Sequence, residues 1–90
     1  DSAQAIVFLA PAAAALGDNA LVQFHLGEAL LATGRKAEAR AQFERVLALV
    51  GTPGAAPADQ TEAARGRIAE IDAPPSAQDG EQDAAAQTEG

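Results

Sequence analysis

The chain has 90 residues, enough for one small domain and no more. It contains no Cys, which excludes disulfides, a thiolate metal site and a cysteine nucleophile. Its net charge of −7 comes without a basic stripe, which argues against nucleic acid or an anionic membrane as the main partner.

Residues 3–16 read as the first helix, with Ala5, Leu9, Ala12, Ala13 and Leu16 on one stripe. Pro11 lies inside it and predicts a kink or a late start. Its apolar stretch AIVFLAPAAAAL lacks the positive flank of a secretory signal and is too short to span a bilayer. Gly17 is expected to end the helix in a left-handed cap, and Asp18 or Asn19 to cap the next one. The second helix runs from about Ala20 to Thr33. Leu26, Ala29 and Leu30 share one face, while Leu21, Phe24, Glu28 and Leu31 form another, so contact from more than one side is expected.

Gly34 closes that helix, and a tight turn leads into a third, about Lys36 to Val50. Its apolar stripe is Ala39, Phe43, Val46, Leu47 and Val50; Arg40 and Glu44 sit one turn apart as a surface pair. Gly51 to Gly54 reads as a turn. A fourth helix spans about Asp59 to Ile71, with Asp59 as N-cap, Ala64, Ile68 and Ile71 as its stripe, and Glu62–Arg65 as a second surface pair. From Asp72 the acids Asp72, Asp79, Glu81, Asp83 and Glu89 stand with no Lys or Arg and no large apolar residue, so residues 72–90 read as a disordered acidic tail. Much of the 48% apolar content is alanine, which favours helices but buries little surface, so the core must be thin.

The third helix has an echo. Shifting Ala39, Phe43, Val46, Leu47 and Val50 back by 34 residues lands on Ala5, Leu9, Ala12, Ala13 and Leu16, and Gly51 lands on Gly17. A period of about 34 residues made of helix–turn–helix units signals a solenoid. The fold class is therefore all-α: antiparallel helical hairpins of an α-solenoid, with the acidic tail appended.

Residues Ala20 to Leu49 resemble the tetratricopeptide repeat. Leu26-Gly27 looks like the Leu-Gly pair of that family's first helix, and Ala29, Leu30 and the turn residue Gly34 follow at matching places. Glu38-Ala39 resembles its Glu-Ala before the helix crossing, and Phe43 and Val46-Leu47 match later positions. Three positions depart from the pattern. Gln23 stands where an aromatic or large apolar residue is common, Pro11 interrupts a helix normally continuous, and Gly51 replaces a proline. On this resemblance residues 1–19 are the second helix of a preceding repeat, 20–51 a complete hairpin, 52–71 a loop and capping helix, and 72–90 the tail. The flavour resembles the C-terminal end of a bacterial repeat array.

The resemblance implies a protein–protein interaction scaffold that takes a peptide or partner helix in a concave groove. Carried onto this chain, the partner-binding positions are Leu21, Phe24, His25, Glu28 and Leu31, with Ala32 beside them. Phe24 and Glu28 stand where a carboxylate clamp needs Lys, Arg or Asn, so an apolar groove is expected instead. The same apolar face would equally serve packing against a missing repeat. Alternatives are a structural cap or self-association segment of a longer array, and an accessory region of an enzyme encoded upstream. No catalytic residue, cofactor or metal is expected: His25 is the one histidine, and no nucleophile elbow or phosphate loop is present. No membrane insertion is expected, and the compartment, cytoplasmic or periplasmic, is left open.

Overall fold

The computed structural model describes residues 1–73. Among them are four helices and no strand: α1 (Ser2–Ala15), α2 (Ala20–Ala32), α3 (Lys36–Ala48) and α4 (Ala58–Asp72). α2 packs between α1 and α3, and α4 packs on α3 while touching α2 at its edge. The expected acidic tail lies outside the described residues from 74 onward.

Local chemistry sets each boundary. Asp1 caps α1, its Oδ1 accepting from the Gln4 N–H at 2.9 Å, and Asn19 caps α2, its Oδ1 accepting from the Val22 N–H at 3.2 Å. At the end of α2 the Arg35 N–H donates to the Leu30 carbonyl at 2.9 Å and the Gly34 N–H to the Leu31 carbonyl at 3.0 Å. This is a Schellman closure, and it needs the positive φ of +83° that Gly34 adopts.

Three sequence expectations are corrected here. α1 starts at Ser2 and runs on through Pro11, which lies on the exposed side, so there is no late start. Gly17 is not left-handed, because Leu16 already leaves the helix at φ −115° and ψ 53° and turns the chain without a positive φ. Asp59 is not the cap of α4; Pro57 holds that place without a side-chain bond, and Asp59 sits in the first turn, where its charge suits the helix dipole.

The core lies mainly between α2 and α3. Phe43 and Val46 are fully buried, as are the alanines Ala20, Ala39 and Ala64 at 0% exposure. Gly27 makes the crossing possible: a Cβ there would stand 2.8 Å from Cε1 of Phe43. The Phe43 ring fills the space left by the missing side chain and meets Phe24 edge-on, with centroids 5.8 Å apart. Of the α1 stripe, Ala13 is buried and Leu9 packs on the core, but Ile6 joins them and Leu16 is 46% exposed. In α4 the expected stripe holds, with Ala64 buried and Ile68 and Ile71 packed against the core.

Polar links tie the helices to one another. Gln23 is buried and its Nε2 donates to the Ala13 carbonyl at 3.1 Å and the Leu16 carbonyl at 3.2 Å. It thereby satisfies the Ala13 carbonyl at the end of α1 and adds a second bond to the Leu16 carbonyl, which also accepts from the Asn19 N–H at 2.9 Å. The α3–α4 loop returns to the α1–α2 turn, where the Gly54 carbonyl accepts from the Ala20 N–H at 2.7 Å. A Cβ at Gly54 would lie 1.6 Å from the Asp18 carbonyl oxygen, so only glycine permits this approach.

Asp72 belongs to α4 rather than to the tail. Arg40 donates to it twice, Nε to Oδ1 and Nη2 to Oδ2, both at 2.8 Å. Arg40 also pairs with Glu44, and Glu62 with Arg65 at 3.7 Å, as the helical spacing predicts. The Arg40 guanidinium holds the Asp72 carboxyl below its ordinary value of 3.8.

Two outcomes follow. Phe43→Ala is expected to cost about 3–5 kcal/mol, against the roughly 5–15 kcal/mol by which a domain is stable. Urea unfolding followed by circular dichroism should then show a midpoint lowered by about a fifth or more. For Asp72, a depressed folded-state pKa means stability present above the unfolded value and lost as pH falls through the folded one. Asp72→Asn should therefore melt below the parent at neutral pH, and the gap should close as pH drops below 3.8.

Candidate functional site

α2 turns one stripe away from both of its neighbours. Leu21, His25 and Glu28 follow at helical spacing along it, with Ala32 at its end. Leu21 is 38% exposed, His25 and Ala32 are exposed, and Glu28 is half-buried. Leu31 is half-buried and packs on the core; with Lys36, Glu70 and Ile71 it rims a shallow recess of about 260 Å³.

The Glu28 carboxylate is tied to α4. Arg67 Nε lies 3.2 Å from its Oε2, and Arg67 Nη1 lies 3.5 Å from Glu70 Oε1. This pairing sets α4 alongside the α2 stripe, so two helices rather than one border the face. Both partners remain about a third exposed, which keeps the pair's contribution to stability small.

Phe24 does not belong to that surface. It is 7% exposed, in the core against Phe43, which corrects its assignment as a partner-binding residue. The reason is the crossing of α2 and α3. Phe24 sits one turn before Gly27, so the Phe43 ring that enters the glycine gap also covers Phe24. What Phe24 contributes to the face is support: its ring meets the exposed His25 imidazole edge-on at 5.9 Å. No group of three or more His, Cys, Asp or Glu that could hold a metal occurs among the described residues.

The structure also exposes features the sequence reading passed over. Val7 and Phe8 of α1 are 68% and 75% exposed. The available signal was that no residue of Ser2–Ala15 carries a charge, which is unusual for a helix open to water. A second recess, of about 380 Å³, opens on the other side of α2, between α1 and α3. Leu26 and Leu30 lie in it, with Ile6 and Ala10 on one wall and Gln42 on the other. No described helix is long and apolar enough to cross a membrane.

The geometry is therefore a helical hairpin, α2–α3, flanked by a helix on each side, with α3 starting at Lys36, 34 residues after α1 starts at Ser2. A family model described as tetratricopeptide repeat matches residues 1–56, spanning α1, α2 and α3. No curated protein and no solved structure matches the chain. The match covers more than half of the sequence and coincides with the repeat spacing of the helices: the chain belongs to the tetratricopeptide repeat family.

Proposed function

We propose that the chain is a protein-interaction module that binds a peptide or partner helix along the outward stripe of α2. Membership of the tetratricopeptide repeat family supports protein–protein interaction in general. The observation that carries the finer reading is the pairing of Leu21, partly exposed, with exposed His25 on a stripe that neither α1 nor α3 covers. Leu21 offers an apolar anchor and His25 a hydrogen-bonding ring one turn on. The Glu28–Arg67 pair at the next turn is already neutralised, so it shapes the face without demanding a charged partner. Leu31 and the recess beside it extend the apolar strip toward α4.

Charge supports the same class of partner. Arg35, Arg40, Arg65 and Arg67 are each held by a carboxylate within 4 Å, which leaves little free positive charge to follow a phosphate backbone. The reading is of a binding module rather than an enzyme, because catalysis needs a base and a nucleophile or metal brought together. On this face one imidazole stands beside aliphatic side chains and a neutralised ion pair.

The test is selection of peptides from a displayed random library against the chain, followed by affinity measurement. Leu21→Glu is expected to weaken binding of the selected peptides at least about tenfold, since an anchoring leucine contributes about 1.5–3 kcal/mol, while helicity by circular dichroism stays unchanged. Phe24→Glu, by contrast, should unfold the hairpin, because it would bury a charge in the α2–α3 core. Peptides whose affinity ignores both Leu21→Glu and His25→Glu would refute this assignment of the face.

A further inference from the structure

We infer that the outward face of α1, formed by Val7, Phe8, Pro11, Ala14 and Ala15, docks on the same face of a second copy of this chain, with the two helices antiparallel. Val7, Pro11 and Ala14 fall at i, i+4 and i+7, and Phe8 and Ala15 run beside them. All five are exposed, Val7 at 68% and Phe8 at 75%. Ile6, Leu9 and Ala13 point the other way and belong to the core, so the outward face takes no part in the packing of α1 on α2. Stacking of helices along the repeat does not cover it either. Shifted by the 34-residue spacing between the starts of α1 and α3, Val7, Pro11 and Ala14 become Ala41, Arg45 and Ala48. Those three stay exposed although α3 has α2 packed on one side and α4 on another. Gln42, at the place of Phe8, is half-buried and borders the recess between α1 and α3.

Charge and shape together point to a second copy as the occupant. The chain carries a net charge of −7, so two copies repel wherever acids meet. Ser2–Ala15 holds no charged residue, and two copies can touch there without opposing like charges. The face is also tapered. Its large side chains, Val7 and Phe8, stand on one side of Pro11, and the alanines 14 and 15 stand on the other. Antiparallel pairing about a two-fold axis beside Pro11 sets Val7 against Ala14 of the second copy and Phe8 against Ala15, large upon small at both ends. Parallel pairing would set Phe8 upon Phe8 and leave the alanines apart. Antiparallel helices also oppose their dipoles. One helix face about 20 Å long and 10 Å wide is smaller than a standard interface, so the dimer is weak and depends on concentration. This contact is separate from the peptide-binding stripe of α2.

The experiment is sedimentation equilibrium of the full chain from about 10 μM to about 1 mM, where a reversible monomer–dimer equilibrium is expected. Association should strengthen as NaCl rises from about 0.05 to 0.5 M, because salt screens the net repulsion and leaves an apolar contact intact. Phe8→Glu is expected to weaken dimerisation at least about a hundredfold, since the two-fold axis places the loss at both ends of the contact. Ala14→Glu should act in the same direction. Both positions are exposed, so helicity by circular dichroism should not change in either variant. The chain has no Cys, which lets single cysteines report the pairing. Pro11→Cys should form a disulfide between copies under mild oxidation. Phe8→Cys should not, because antiparallel pairing separates the two sulfurs by about 9 Å along the helix, beyond a disulfide's reach. A chain that stays monomeric at about 1 mM overturns the inference and leaves the face to a different protein. A dimer indifferent to both glutamate substitutions also overturns it, as does crosslinking through Phe8→Cys in preference to Pro11→Cys.

Discussion

The crossing of α2 over α3 at Gly27 is the constraint on which the remaining packing depends. Removing one side chain from α2 lets a phenylalanine of α3 lie where a Cβ would collide, at 2.8 Å. The close approach buries Phe43 and Val46 completely in a chain that has few large apolar residues to bury. It also decides the orientation of α2. With Phe24 and Gly27 turned toward α3, Gln23 is turned toward α1 and Leu21 and His25 toward solvent. The site is thus a by-product of the crossing: its residues are those left over when the helix has been clamped from two sides.

Much of this was readable in advance because it is local. Amphipathic spacing located four helices, Gly34 marked the Schellman turn, Asn19 the cap, and Arg40–Glu44 and Glu62–Arg65 the surface pairs. The 34-residue echo located the repeat. What escaped depends on residues distant in the chain. Phe24 and Leu21 lie on neighbouring faces of one helix, and periodicity alone does not say which of them α3 will cover. Gln23 looked like a departure from the family pattern until the end of α1 was placed beside it, where its amide donates to the Ala13 and Leu16 carbonyls. Asp72 read as the first residue of an acidic tail because its partner, Arg40, is 32 positions away.

The candidate face shows the same division. Its spacing, Leu21 to His25 to Glu28, is a property of any helix and was legible. Its second border is not, because nothing in the pattern of α4 announces that Arg67 reaches Glu28. Once that pair is in place, α2 and α4 present a shared surface, apolar at one end and electrically neutral in the middle. Such a surface favours contacts driven by shape and apolar burial over those driven by charge steering.

The bond from the Gly54 carbonyl to the Ala20 N–H closes a loop over the whole α2–α3 hairpin. In a simple stack each helix answers only to its neighbours, and the last one can fray away without disturbing the first turn. Here the segment that leads into α4 is pinned to the residue that begins α2, and the pin sits beside the α1–α2 turn at Asp18. Unzipping from the α4 end therefore uncovers the N-terminus of α2 as soon as the loop lifts. The hairpin behaves as a buckled belt rather than a row of bricks, and its two ends share a single opening event.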